Sequence, residues 1–410
     1  LMSETYSTKQ PLDLLIAGGG MAGSLLAYVL LSQNPALKLA IVEQSSDKEP
    51  SKASFDSRSI ALAHGSVELL KQWGLWQELQ QSGCAIKHIH ISDRGHFGKT
   101  YLNAADHQLA ALGQVIEVEA IGEVLWQKLK TFTAQGRLHW FYQDAISAIT
   151  PSAELQQVSL QSGAQLQSKL LVIAEGGLSP SRALAGFELK SDDYQQHALI
   201  ANIGLADSHQ HKAFERFTPT GPLALLPLTR QRYSLVWTLT PEQAEHHLNQ
   251  PEPEFLAALQ QAAGHRAGVF KTVGQRVVYP LSLKRATEAS RHRTVLLGNS
   301  LHNLHPIAGQ GFNLAIRDIF SLSLLLQKHQ TDVGCYSLTK AYQQARLPDM
   351  QQVIMYTDSL VRLFSNSSRL MALGRNTGLF ALNLCPDLKQ AVANQAMGLN
   401  SIRQLKALLS

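Results

Sequence analysis

The residues with the clearest capacity for chemistry stand near the start: Gly18-Gly19-Gly20-Met21-Ala22-Gly23, a G-x-G-x-x-G spacing. An apolar run from Leu12 to Ala17 precedes them, and a stretch of helical composition from Ala22 to Leu31 follows. Gly18 permits a tight turn, Gly20 lets a pyrophosphate approach backbone N–H groups, and Gly23 lets helix and strand touch. The start of the helix offers positive potential to the phosphates. Glu43 ends the next apolar run, twenty residues after Gly23. Its carboxylate can accept both hydroxyls of an adenosine ribose and would repel a 2′-phosphate. The glycine spacing alone is weak; strand, helix and acid together predict a dinucleotide site.

Two further motifs narrow the dinucleotide. Glu175-Gly176-Gly177-Leu178-Ser179-Pro180-Ser181-Arg182 follows a second apolar run and closely matches D-G-x-x-S-x-x-R. Gly298 to Asn313 (GNSLHNLHPIAGQGFN) follows a third and is similar to G-D-A-A-H-x-x-x-P-x-x-G-Q-G-x-N. Three motifs in this order resemble those of the single-component flavoprotein aromatic hydroxylases. The resemblance is greatest to the ubiquinone-biosynthesis hydroxylases of the 2-octaprenyl-6-methoxyphenol hydroxylase type. Phe55 to Leu62, Ser92 to His96, Leu112 to Glu117, Phe214 to Phe217 and Tyr233 to Trp237 extend it, so that residues 12–325 carry specific matches.

The resemblance implies FAD as cofactor, with NAD(P)H as a transient co-substrate and O2 as oxidant. Gly18, Gly20, Gly23 and Glu43 would hold the ADP half of FAD, and Arg58 would meet it near its middle. Gln114, Glu175 and Gly176 would belong to the same cofactor site, with Gly298 and Asn299 at the ribityl and pyrophosphate region. Gly309, Gly311, Phe312 and Asn313 would pass beside the isoalloxazine ring, where N–H groups at a helix start can face the anionic reduced flavin. His302, Pro306 and Gln310 fall beside the reacting ring by the same resemblance, Gln310 more as a positioner than as an acid or base. For His302 a hydrogen-bonded structural role and acid–base work both stay open. Two positions depart from the family pattern, since Glu175 and Asn299 stand where aspartates are usual. Glu keeps the charge on a longer arm, and Asn keeps the size and an accepting carbonyl.

The expected activity is hydroxylation of a polyprenylated phenol in ubiquinone biosynthesis. NAD(P)H would reduce the flavin, O2 would add at C4a, and the resulting hydroperoxide would transfer OH to the ring. The protein would hold the ring, exclude water and stabilise flavin charge. Alternatives are a sister hydroxylase for another ring position, a flavin-dependent halogenase or prenyl reductase, and a non-catalytic flavin-holding assembly subunit. The halogenase W-x-W-x-I-P signature is missing. No second G-x-G-x-x-G occurs, so no separate nicotinamide domain is expected. Partners implied are the polyprenyl phenol, other quinone-biosynthesis proteins and a peripheral membrane contact, but no nucleic acid. No metal motif is present.

These side chains need elements to carry them. Apolar runs at 12–17, 37–43, 169–174 and 294–297 read as buried parallel strands. An α/β fold follows: a discontinuous Rossmann-like FAD-binding domain, a β-sheet substrate domain and C-terminal helices. The boundaries are 12–187 and 286–330 for the FAD-binding parts, 188–285 for the β-rich substrate domain and 331–410 for the helical region. Residues 60–82 read as helices with Trp73 and Trp76 as anchors, 86–102 as strand-like, and Val115 to Lys130 as an amphipathic helix. Tyr233 and Trp237 are either strand core or substrate-facing.

At 410 residues, 45% apolar and 16% charged, the chain is neither disordered nor a coiled coil, and is long enough for two or more units. Cys84, Cys335 and Cys385 lie far apart, which excludes a dithiol redox pair and fits a reducing cytosol. From His329 onward eight Lys/Arg oppose four Asp and no Glu, supplying +4 of the +5 net charge. This is a solvated helical face or a dock for an anionic surface. The uncharged stretch Leu14 to Leu37 is broken by glycines and closed by Asn34-Pro35, against a membrane span. The expected location is cytoplasmic, with peripheral contact at the inner membrane.

Overall fold

The computed structural model describes residues 10–46, 58–93, 99–304, 310–364 and 397–409. At its centre Leu12–Ala17 lies between Gln165–Ile173 and Leu39–Glu43, all parallel. Thr294–Leu296 and Leu138–Tyr142 extend this sheet in the same sense. Strands covered on both faces need apolar side chains throughout, which is why LDLLIA and LAIVE lack polar alternation. A hairpin of Ile146–Pro151 and Gln156–Leu160 adds to Gln165–Ile173, and Ser290–Arg291 adds to Thr294–Leu296. Helices Met21–Gln33, Val118–Ala134 and Gln310–Lys328 share its core.

The register of these strands places the chemistry. Ala17 sits opposite both Ile173 and Val42, and Ile173 sits opposite Leu296. Three strands therefore end level, and the three glycine motifs leave their carboxyl ends side by side. Open parallel sheets bind ligands at that edge.

The second sheet runs His302–Asn303, Val277–Ala286, Leu189–Leu205, Arg232–Leu239, Gly221–Leu228, Lys212–Thr218, His88–Asp93, Lys99–Asn103. Helix Glu252–Ala263 covers its far face, and Phe255, Leu259, Tyr233 and Trp237 form a separate core there. The sheet is not confined to 188–285, because His88–Asp93 pairs in parallel with Lys212–Thr218.

Two further expectations differ from the structure. Ser59–Ala63 is a strand, with helix His64–Gln72 starting only after it, and Val115 lies in the strand Gly113–Glu117, with the helix starting at Val118. These strands and Gly83–Ile86 form a small antiparallel sheet. Such short apolar runs suit either element, and the pairing decides. Arg232 forks onto the Glu117 carboxylate at 3.1 and 3.2 Å, tying this sheet to the second one. Helix Leu399–Leu409 buries Leu405 and Leu409 in the first core. Among the described residues no helix is long and apolar enough to cross a membrane.

Candidate active site

Gly18 has φ +101°, and a Cβ there would lie 2.6 Å from the Ala174 carbonyl oxygen. Only glycine allows both the turn and the close approach. A Cβ on Gly23 would lie 2.0 Å from the Gly18 oxygen, so Gly23 is the contact of helix with strand. Helix Met21–Gln33 begins at Gly20 with no side-chain cap and no acid in its first turn. Its first N–H groups are thus available to an anion. Gly298, at φ +60°, packs against this helix, its Cβ position 3.2 Å from the Ala22 Cβ.

The second and third motifs are stitched together. Buried Arg182 donates to the Ser300 carbonyl at 2.9 Å and to the Gly177 carbonyl at 3.1 Å. Ser300 Oγ donates to the Gly176 carbonyl at 3.2 Å. Glu175 accepts from Ser179 Oγ, the Ser181 N–H and Ser181 Oγ at 3.1, 3.0 and 2.6 Å. Glu175 thereby reaches forward to the first turn of the helix Pro180–Leu184.

These turns open onto a cavity of about 1280 Å³, larger than the ~300–1,000 Å³ of common ligand pockets. Gly18, Gly20, Glu43, Gly176 and Asn299 line one end; Ile91, Leu226, Val236 and Ile200 of the second sheet line the other. That volume and polarity fit a dinucleotide beside an apolar substrate. The uncapped helix start and the side-chain-free turns fit FAD.

Arg58, Glu175, Gly298, Gln310, Gly311, Phe312 and Asn313 also line the cavity, the Arg58 guanidinium lying over the Tyr279 ring at 5.7 Å. Gln114 is not among the lining residues, whereas its neighbour Gly113 is. Pro306 and Gly309, with His305, lie outside the described residues. Glu43 lines the cavity and accepts from the Gly19 N–H (2.6 Å), the Ser45 N–H (2.9 Å) and Ser45 Oγ (2.6 Å). A carboxylate has about four acceptor positions, so acceptor capacity remains for a ribose hydroxyl. Asn313 accepts from the Ala63 N–H and donates to the Ala61 carbonyl, both at 2.8 Å, and so clamps Ser59–Ala63 to the helix start.

His302 is placed as a structural residue. It has no exposed surface, is not among the lining residues, and its Nε2 lies 2.7 Å from Asp318 Oδ2. Asp318 also accepts from the Gly298 N–H at 3.0 Å and from Arg346 Nε at 2.7 Å. Burial disfavours its charge, yet His302, Arg346 and the Gly298 N–H hold it below the usual carboxylate range. Asp349 completes the cluster, 2.7 Å from Arg346 Nη2 and 2.8 Å from Arg317 Nε. Tyr233 and Trp237 are core residues, 1% and 5% exposed and off the cavity. Sequence reasoning passed over Asp318, counted Arg346 only as one of the basic C-terminal charges, and gave no role to Glu215 within the matching stretch Phe214 to Phe217; the available signal was a charge set among apolar neighbours.

The chain matches a family model described as an FAD binding domain over residues 11–357. It is 31% identical to ubiquinone hydroxylase UbiL of Rhodospirillum rubrum, covering 96% of this chain and 91% of that protein. With 3-demethoxyubiquinol 3-hydroxylase of Escherichia coli the identity is 28%, over 96% of this chain and 100% of that one. The crystal structure of Pseudomonas aeruginosa PqsL in complex with 2-aminobenzoylacetate matches with a TM-score of 0.76 at 23% identity, over 91% and 100% of the two chains. That last likeness is one of fold.

Proposed function

This chain belongs to the FAD-binding-domain family, among its flavoprotein hydroxylases, and we propose that it hydroxylates the ring of a polyprenylated phenol in ubiquinone biosynthesis. It is an FAD-dependent monooxygenase, with NAD(P)H as reductant and O2 as oxidant. A phenol of the 2-octaprenyl-6-methoxyphenol type is the substrate this reading favours. FAD held by the glycine turns would supply the redox chemistry that couples NAD(P)H and O2 to ring hydroxylation, with one oxygen atom of O2 ending in the product and the other in water.

The observation that carries the reading is the shared cavity, glycine turns at one end and the apolar sheet face at the other. Gly18, Gly20 and the start of helix Met21–Gln33 would hold the pyrophosphate, with Glu43 on the ribose. Arg182, Glu175 and Asp318 keep the turns in place. Ile91, Leu226 and Val236 would exclude water from the reacting ring and receive the start of the prenyl tail. The test is to purify the protein, measure bound FAD by its visible absorbance, and supply NAD(P)H, isotopically labelled O2 and a prenylated phenol. One labelled oxygen atom in the product supports the proposal. Flavin oxidation with unlabelled or unchanged phenol refutes it.

A further inference from the structure

The cavity-facing side of the second sheet has a row of residues set opposite one another across five strands. Ile91 pairs with Glu215, Glu215 with Ala224, Ala224 with Val236, and Val236 with Ile200. All five line the cavity, and four of them are aliphatic. Glu215 is the exception. Its Oε1 is buried and has no hydrogen-bond partner among the described residues. A carboxyl oxygen left this way costs stability and finds no compensation among the described residues.

We propose that Glu215 accepts the hydrogen bond of the substrate's phenolic O–H and acts as the base that takes its proton during ring hydroxylation. This assignment rests on the functional reading above. The carboxylate removes the phenolic proton as the ring carbon bonds to one oxygen atom of the reduced O2, and the O–O bond breaks with its electron pair on the other oxygen. That second oxygen leaves as water, taking the proton lost from the ring C–H and one supplied with NAD(P)H, while Glu215 returns its own proton to the phenolic oxygen as aromaticity is restored, so the protein ends the cycle unchanged. Such a base works best when its pKa lies near the working pH, and burial pushes Glu215 up to about 7. Tyr356, on the helix Tyr336–Phe364, also lines the cavity. Burial, with the Glu215 carboxylate adding, pushes that phenol up to about 12, which keeps it a neutral donor. Of the strands beside Glu215, Gly221–Leu228 has no titratable residue, while His88–Asp93 carries His88, His90 and Asp93, the His90 ring lying against Tyr101 and Phe214. Arg216 adjoins Glu215 on its own strand.

Two measurements on the FAD-loaded protein test the assignment. In equilibrium dialysis without NAD(P)H, the wild type should bind the prenylated phenol about 10- to 100-fold more tightly than its methyl ether, which has no O–H to give. Glu215→Leu should erase that preference. In turnover, Glu215→Gln should lower kcat by about 10²–10⁴-fold with a smaller change in KM. It should also remove the acidic limb, near pH 7, from the wild-type profile. Equal binding of phenol and ether by the wild type, or full kcat in Glu215→Gln, overturns the assignment. A wild type that hydroxylates no phenol but still prefers it over the ether through Glu215 refutes the functional reading and leaves the phenol contact standing.

Discussion

Glu215→Gln should make the protein more stable while it makes the enzyme slower. Desolvation pushes the Glu215 carboxyl up to about 7 in the folded chain, from 4.5 in the unfolded one. The folded state therefore keeps a proton that the unfolded state releases in this window. The contribution is fully present below pH 4.5 and is lost as pH climbs to about 7. At about 1.4 kcal/mol per pH unit, the interval corresponds to about 3 kcal/mol of stability that the wild type forfeits by pH 8. Gln has the same shape and no charge to desolvate, so it escapes that loss. Urea unfolding of both proteins at pH 5 and pH 8, each with bound FAD, should show the advantage of Glu215→Gln growing by about 2.5 kcal/mol between them. A difference that does not change with pH, or a wild type that is the more stable at pH 8, would refute the reasoning. Position 215 would then be better hydrated than the cavity wall implies.

Further outcomes follow from the same geometry. Gly18→Ala forces a side chain onto a left-handed backbone and into the Ala174 carbonyl, and should cost about 2–5 kcal/mol, read by thermal unfolding together with loss of bound flavin. Gly311→Ala meets nothing within 4 Å and gains helix propensity. It should unfold no more easily than the wild type, while its added methyl in the cavity weakens FAD binding in a fluorescence titration. Asp318→Asn leaves buried Arg346 with Asp349 as its remaining carboxylate, and should lower stability by about 3–5 kcal/mol in urea. His302→Gln should lose stability too, yet turnover per bound flavin should fall by less than the ~100-fold expected from removing an acid–base catalyst.

The cofactor end of the site was legible because its chemistry is local in sequence. A turn, a helix start and an acid at fixed spacing are needed wherever a pyrophosphate meets backbone, so Gly18, Gly20 and Glu43 announce themselves. The parallel strands were legible for a related reason, since burial on both faces removes alternation. Boundaries failed where tertiary pairing chose the element, as at Ser59–Ala63 and Val115. The role of His302 could not be read because its partner, Asp318, lies sixteen residues on and became its neighbour only when the helix Gln310–Lys328 folded back. Glu43 was half legible: the acid was visible, but Ser45 and the Gly19 N–H, which occupy most of its oxygens, were not.

The substrate end is harder for a physical reason. Along the strand Lys212–Thr218 the sequence KAFERFT sets Glu215 between Phe214 and Arg216, and alternation alone offers no way to tell a cavity wall from a wet surface. Four other strands decide it. Ile91 arrives from 124 residues earlier and Val236 from 21 later, and together they set one carboxylate in an aliphatic row. A binding residue of this sort is defined by what its neighbours lack. It follows that the determinants of which phenol enters should lie in the register of the second sheet, in residues such as Ala224 and Ile200 that have no chemistry of their own. Enlarging Ala224 to Leu, directly opposite Glu215, should therefore raise KM for the prenylated phenol while bound flavin stays at the wild-type level. Equal loss of flavin and of substrate affinity would show instead that the two ends of the cavity are not separable.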